Sequence, residues 1–136
     1  MEFSIKEYGK YQEAEILNLY GSVGWANYVN NPDMLKNAYA NSLKILGAYE
    51  GEKLLGVIRV VGDGCSVVVI QDVLVLPEYQ RKGIGAALIF KILDLYQNVY
   101  QKLLLTDDTE QTTRFYQSAG FKMDTEIGCR AFLKMF

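Results

Sequence analysis

The sequence contains no histidine, and it has only two cysteines and two prolines in 136 residues. Without histidine the chain cannot build a Ser/His or Cys/His nucleophilic pair or a histidine-ligated metal site. Cys65 and Cys129 lie far apart and show no CxxC spacing, so we expect reduced thiols rather than a cysteine metal site or a disulfide framework. We therefore predict no bound metal, and proton transfer would use Asp, Glu, Tyr, Lys, Cys or water.

Excess basic charge and long apolar runs are also missing. The chain has 14 Lys and Arg residues against 16 Asp and Glu residues, a net charge of −2. This balance argues against a nucleic-acid partner and suits a small cationic one. The longest nearly uncharged run, residues 64–70, is far too short for a membrane-spanning helix, and residues 1–10 do not resemble a signal peptide. We expect a cytoplasmic protein with no membrane partner.

The composition is that of a folded globular protein. Half of the residues are hydrophobic and 22% are charged, over a length typical of one domain. We predict a single domain over residues 1–136.

Hydrophobic periodicity predicts alternating strands and helices. Patterns typical of strands occur in residues 3–8, 45–49, 54–61, 66–75 and 102–106, with one or two terminal strands in residues 122–136. Helical spacing occurs in residues 11–20, 32–43, 83–97 and 109–119; for the last helix, Asp108 or Thr109 suits the N-cap and Gly120 the end. The order β α α β β β α β α β predicts an α/β fold with a sheet that is part antiparallel and part parallel.

A glycine pair stands at the start of the predicted helix 83–97. Gly83 and Gly85 follow Arg81 and Lys82, at a point where backbone N–H groups and the helix dipole favour an anion. Glycine would let a phosphate approach the backbone closely, so the pattern suits a polyanion such as a diphosphate. The alternative is an ordinary turn before a helix. Neither GxxxxGK[ST] nor GxGxxG fits, because Leu88 replaces the third glycine of the latter.

Two segments resemble the GNAT superfamily of N-acetyltransferases. Residues 80–85, QRKGIG, match its QxxGxG/A signature, and residues 114–121, RFYQSAGF, are similar to its helix with the FYxxxGF pattern. The likeness covers about residues 70–121, and the first half of the chain agrees in element order alone. It implies the acyl-CoA N-acyltransferase fold, a mixed and mostly antiparallel sheet of six or seven strands with a parallel splayed pair in the centre and helices on both faces. It also implies acetyl-CoA as co-substrate.

The resemblance assigns roles to individual residues. It implies that a phosphate loop, residues 80–86, holds the pyrophosphate of acetyl-CoA, and that the preceding strand binds the pantetheine arm through its backbone. Those cofactor-binding positions are Gln80, Arg81, Lys82, Gly83, Ile84, Gly85 and Ala86 in the loop, and Val73, Leu74 and Val75 in the strand. The N–H of Val75 would polarise the thioester carbonyl. Tyr116 would be the general acid near the sulfur, the alternative being a core aromatic.

The general base is less clearly marked. Where relatives carry a glutamate and an asparagine, this chain has Leu104 and Thr109, and neither can act as a base. Asp72 is our first candidate, ahead of Asp107, Asp108 and a water relay. The alternative is that Asp72 faces solvent or caps a turn. Arg59, in an otherwise apolar strand, either pairs with an acid such as Asp72 or faces outward.

Trp25 and Tyr28 are two large aromatic residues in a Gly-rich turn. They could wall an acceptor pocket and hold a cation through their ring faces, or form a hydrophobic plug where a loop meets the core.

Our functional hypothesis is transfer of an acetyl group from acetyl-CoA to a small primary amine, by direct attack in a ternary complex. The alternatives are a protein N-terminal or lysine acetyltransferase and a non-catalytic acyl-CoA-binding module. A homodimer is a further possibility, because apolar terminal strands could leave a sheet edge that a second copy would cover.

Overall fold

The computed structural model describes residues 1–135, which form a five-stranded sheet and five α-helices. The strands are β1 Ser4–Glu7, β2 Lys44–Glu50, β3 Lys53–Gly62, β4 Val67–Val75 and β5 Gln101–Leu104. The helices are α1 Glu13–Ser22, α2 Ala26–Val29, α3 Pro32–Ala40, α4 Ile84–Leu95 and α5 Glu110–Ser118, with short 3₁₀ helices at Pro77–Tyr79 and Asp124–Ile127. No helix in this range has the length and apolarity needed to cross a bilayer.

The chain divides into two compact units, Met1–Leu104 and Leu105–Phe136. The first contains the whole sheet and helices α1 to α4, and the second contains α5 and the second 3₁₀ helix. The prediction of one domain stays a prediction.

The strands lie in sequential order, β1-β2-β3-β4-β5. All neighbours are antiparallel except β4 and β5, which are parallel. A parallel pair needs a crossover connection, and α4 supplies it. The predicted mixed α/β fold with a parallel pair is confirmed.

Helices cover both faces of the sheet. On one face, α1 and α3 pack on the strands in a buried cluster made of Tyr8, Ile16, Leu19, Tyr20, Leu35, Tyr39, Ile45, Leu54, Val57, Leu74 and Leu76. Helix α4 contacts β2, β3 and β4, and it buries four residues outside that cluster: Ile84, Leu88, Ile89 and Ile92. Because successive residues of a strand point to opposite faces, α4 lies on the other side.

A β-bulge interrupts β4 at Gln71. Arg59 of β3 pairs with Asp72, but the next residue, Val60, pairs with Ile70, so Gln71 has no partner in this ladder. Cross-strand partners share a face. The bulge therefore places Ile70 on the α4 face and turns Asp72 to the face covered by α1 and α3.

The turn between β3 and β4 is organised by Asp63. Its carboxylate accepts hydrogen bonds from the Ser66 hydroxyl and from the backbone N–H groups of Cys65, Ser66 and Val67. These donors, the Ser66 hydroxyl first, hold the pKa of Asp63 well below its usual range. Asp63 is thus a turn-forming residue, as its place in the sequence GDG indicates.

The sheet is smaller than predicted. We expected six or seven strands with the parallel pair in the centre, whereas β5 is an edge strand and no strand follows it up to residue 135. Asp124 begins a 3₁₀ helix, its carboxylate accepts the N–H groups of Thr125 and Ala131, and Gly128 takes a left-handed φ of 73°. These local hydrogen bonds occupy groups that a strand ladder would need. Phe136, the last residue of the predicted terminal strands, lies outside the described residues.

Candidate functional site

The phosphate loop, residues 80–86, is tied to the end of β4. After Val75 the chain makes the 3₁₀ helix Pro77–Tyr79, in which the N–H of Tyr79 donates to the carbonyl of Leu76 at 2.9 Å. The Gln80 side chain then turns back, and its Nε2 donates to the Val75 carbonyl at 3.0 Å. This hydrogen bond therefore ties the first residue of the loop to the end of β4.

The N-terminus of α4 has unpaired backbone donors. Gly83, at φ 83°, is the N-cap and supplies no side chain to cap the helix. The first helical hydrogen bond runs from the N–H of Ala87 to the carbonyl of Gly83 at 3.0 Å. The N–H groups of Ile84, Gly85 and Ala86 therefore have no hydrogen-bond acceptor within the helix. A helix end of this kind is suited to an anion.

The two loop glycines differ in what they require. Gly83 has a left-handed backbone, which glycine adopts without the penalty that other residues meet. Gly85 does not, and a Cβ there would meet only Val75 Cγ2, at 3.9 Å, which is ordinary contact. The packing of the chain therefore gives no reason for glycine at position 85, whereas close approach of a ligand would favour a small residue there.

Arg81 and Lys82 add positive charge to this helix end. Both side chains are exposed, and Arg81 has a φ of 62°, an uncommon backbone for a residue with a side chain. Such a conformation costs on the order of 1 kcal/mol, so the fold holds the arginine there against a small penalty.

We expect the double change Arg81→Gln/Lys82→Gln to weaken acetyl-CoA binding about three- to tenfold at low salt, because two exposed charges are removed from the phosphate loop. Glutamine meets the same backbone penalty as arginine at position 81, so the change removes the charge without relieving that penalty. Calorimetric titration at two ionic strengths would measure the effect, and the gap from wild type should narrow as salt rises. Lys91→Gln, an exposed lysine further along α4, is the control. An equal loss in the control would contradict the assignment.

Half of β4 lacks a partner on the β5 side. The parallel ladder ends at Ile70 and Leu104, and β4 continues to Val75. On the other edge, the N–H of Leu76 donates to Leu55 at 2.8 Å. Since hydrogen-bonding directions alternate along a strand, the N–H groups of Val73 and Val75 point away from β3, and that of Leu74 points toward it.

This alternation refines the strand prediction. Val73 and Val75 offer backbone groups on the open side, although Gln80 already occupies the Val75 carbonyl. Leu74 instead buries its side chain in the cluster below α1 and α3. An extended chain of amide groups could pair with this open edge as an added strand does.

Tyr116 belongs to the second compact unit, on α5. Its ring packs edge-on against Phe115 and Phe121, with centroids 5.0 and 5.9 Å away. Burial, with a smaller effect of Asp107, raises the pKa of the Tyr116 hydroxyl above its ordinary value. The hydroxyl is therefore protonated at neutral pH and able to donate a proton.

Helix α5 begins and ends where the sequence indicates. Thr109 is its N-cap, with the side-chain oxygen accepting the N–H of Thr112 at 3.2 Å, and Gly120 follows it with a φ of 96°. Thr109, which stands at the position of the family asparagine, is thus engaged in capping. Asp107 and Asp108 are exposed beside it.

Asp72 is buried, not solvated. Its carboxylate is 1% exposed, and Oδ2 accepts from Arg59 Nε at 2.6 Å and from the Tyr20 hydroxyl at 2.8 Å. The reading of Asp72 as an outward-facing residue is therefore wrong, and Arg59, 5% exposed, is the buried partner. Burial alone would lower the pKa of Arg59, but the Asp72 carboxylate outweighs it and keeps the guanidinium charged.

Tyr20, Tyr39 and Ser42 extend this network and were missed in the sequence. Burial first, and then Tyr39 and Asp72, raise the pKa of Tyr20, so its hydroxyl keeps its proton. That proton goes to Asp72, and the Tyr39 hydroxyl, 3.0 Å away, must therefore donate to Tyr20. Ser42 Oγ lies 3.3 Å from an Arg59 nitrogen. Tyr20 lies at the end of the predicted helix 11–20, but no local signal joins it to Asp72.

Trp25 is the N-cap of α2 and Tyr28 lies within that helix, which stands where a turn was predicted. Their rings stack at 5.9 Å, and both pack against Tyr20, at 5.9 and 5.3 Å. They are partly exposed while resting on the buried cluster, so they cover the network around Asp72.

A shallow depression of about 500 Å³ in the second unit contains none of the predicted site residues. It is lined by Gln117, Gly120, Phe121, Lys122 and Glu126. In residues 1–135 no group of three acidic, cysteine or histidine side chains could hold a metal.

Comparison with known proteins agrees with the fold. A GNAT family acetyltransferase from Streptococcus pneumoniae is 38% identical, and the match covers 99% of this chain and 98% of that one with a TM-score of 0.89. The PaiA N-acetyltransferase from Thermoplasma acidophilum, solved in complex with coenzyme A, is 18% identical, with 90% and 91% of the two chains covered and a TM-score of 0.73. The second likeness concerns the fold alone.

Curated relatives match over part of their length. GCN5-related N-acetyltransferase 2, chloroplastic, from Arabidopsis thaliana is 41% identical over 76 residues, which are 55% of this chain and 29% of that protein. Histone acetyltransferase TAP1 from Glycine max is 36% identical over 100 residues, 68% of this chain and 43% of that protein. The chain thus spans less than half the length of either relative.

The sequence profile of the acetyltransferase (GNAT) domain matches residues 9–136, almost the whole chain. The phosphate loop and the α5 motif, which carried the resemblance, both lie inside that range. The chain belongs to the GNAT family of acetyltransferases.

Proposed function

We propose that this protein transfers an acetyl group from acetyl-CoA to a small primary amine by direct attack, without a covalent enzyme intermediate. The observation that carries the proposal is the arrangement within the first unit. There the open edge of β4 runs directly into a loop with three unpaired N–H groups and two cations. Backbone groups for an amide-bearing arm and a helix end for a diphosphate thus follow each other in the chain.

Each chemical requirement is assigned to a residue. The amine nitrogen attacks the thioester carbon, the new C–N bond forms and the C–S bond breaks. The Val75 N–H, directed to the open side of β4, would stabilise the negative charge on the carbonyl oxygen. Tyr116 would give its proton to the departing sulfur. The proton lost by the amine would go to Asp72 or to water.

The acceptor would lie beside Trp25 and Tyr28. Their stacked rings could contact the body of an amine, and ring faces attract cations. Acceptor and thioester would then meet at β4, with Asp72 and Val75 three residues apart on it.

A protein acceptor is the second candidate, and the name of the Glycine max relative favours it. In that case a lysine side chain or an N-terminal amine would take the place of the small amine.

Thiol release from acetyl-CoA by the purified protein would test the proposal. The panel would contain polyamines, amino acids, aminoglycosides and short lysine peptides. Acceleration by free amines but not by peptides supports the small-molecule acceptor, and the reverse supports the protein acceptor. Acetyl-CoA binding with no turnover across the panel would favour the non-catalytic binding module and contradict the proposal.

A further inference from the structure

Arg59 and Tyr20 both bind the same oxygen of Asp72. Arg59 Nε reaches Oδ2 from β3 at 2.6 Å, and the Tyr20 hydroxyl reaches it from α1 at 2.8 Å. Oδ1 is equally buried and has no hydrogen-bond partner in residues 1–135. A carboxylate can accept about four hydrogen bonds, shared between its two oxygens. Here Oδ2 accepts two and Oδ1 accepts none.

Such an arrangement carries a cost. Two charges are removed from water, and a buried acceptor is left unpaired. Replacement by apolar residues would avoid both costs, so stability alone does not account for this network. A group that donates to Oδ1 during function would account for it.

The position of Asp72 connects the network to the proposed reaction. Asp72 follows the bulge at Gln71 and precedes Val73, whose N–H points to the open side of β4. Tyr20, which anchors Asp72, also carries the Trp25 and Tyr28 rings on its own ring. The carboxylate thus lies between the half-strand assigned to acetyl-CoA and the aromatic pair assigned to the acceptor.

We propose that Arg59 and Tyr20 are positioning residues that occupy Oδ2 of Asp72 and so fix its carboxylate with Oδ1 left to accept from an N–H of the acceptor amine, which reaches it when the covering Trp25 and Tyr28 rings move aside. This inference rests on the proposed acetyl transfer. Because Arg59 balances the charge of Asp72, the site accepts the neutral amine that attack requires. The Tyr39 hydroxyl supports Tyr20, and Ser42 supports Arg59, from α3 and the residues after it.

A double-mutant cycle tests the inference with the amine that gives the highest wild-type rate. Tyr20→Phe should lower kcat/KM for that amine about tenfold, since it removes a hydrogen bond to a charged group, and leave the KM for acetyl-CoA unchanged. In the Asp72→Asn background the same change should cost less than about twofold, because Tyr20 acts through Asp72. If Asp72→Asn does not fold, the comparison of Arg59→Lys with Arg59→Met replaces the cycle. Lysine keeps a positive charge beside Asp72 and should therefore retain more activity than methionine.

Tyr8→Phe is the matched control, since Tyr8 is a buried tyrosine of the same cluster whose hydroxyl donates to Glu15 instead. Equal losses from Tyr20→Phe in both backgrounds, or an equal loss from Tyr8→Phe, would overturn the positioning role while leaving acetyl transfer intact. Absence of wild-type turnover with every amine would overturn acetyl transfer itself, and the inference with it.

Discussion

Replacement of Tyr116 by phenylalanine is expected to lower kcat by about 100-fold, while acetyl-CoA affinity stays unchanged. The change removes only the hydroxyl and keeps the ring that packs on Phe115 and Phe121. Loss of a general acid slows departure of the thiolate without removing any contact that binds the co-substrate. Thiol release at saturating substrates would give kcat, and calorimetry would give the affinity.

The control is Tyr100→Phe, because that side chain is 90% exposed and has no assigned role. A 100-fold loss that also weakens acetyl-CoA binding would indicate structural damage at α5. Unchanged kcat in Tyr116→Phe would remove Tyr116 from the mechanism and leave protonation of the sulfur to solvent.

The second large effect is expected for Gly85→Asp, which should weaken acetyl-CoA binding tenfold or more with no loss of thermal stability. An added Cβ would touch only Val75 Cγ2 at 3.9 Å, so the free protein has room for the start of the side chain. A carboxylate in the first turn of a helix is also favoured by the helix dipole. The same carboxylate would stand where a phosphate must approach the amides and would repel it. Gly85→Ala should instead bind acetyl-CoA nearly as well as wild type, because the signature admits alanine there.

Gly9→Asp provides the matched control, because Gly9 has open space around it and no left-handed backbone. It should change neither the melting temperature nor the affinity. Gly83→Asp is less informative, since its φ of 83° adds a folding penalty to any effect on binding. If Gly85→Asp bound acetyl-CoA as tightly as wild type, the phosphate would not lie at this helix end.

Local sequence signals predicted most of the elements. Alternation and short apolar runs located all five strands, because each signal depends on residues that are neighbours in the chain. The end of α5 before Gly120 was predicted for the same reason, and its N-cap was narrowed to Asp108 or Thr109, of which the structure uses Thr109. The phosphate loop was readable as well, since its N–H groups, glycines and cations follow one another without a gap.

Contacts between distant residues were not readable in this way. The terminal segment alternates like a strand, yet in residues 124–135 hydrogen bonds to the Asp124 carboxylate prevail, one of them from Ala131, seven residues along the chain. The bulge at Gln71 depends on the register of β3 against β4, which no single strand encodes.

The sequence by itself determined the family, the order of the elements from β1 to α5 apart from the short helix α2, and the loop that suits a diphosphate, because those follow from local patterns. The tertiary structure decided the environment of Asp72. It brought Arg59 from 13 residues away and Tyr20 from 52 residues away onto one carboxylate oxygen. That convergence depends on a one-residue bulge and on the packing of α1 against the sheet, and both are set when the whole core forms.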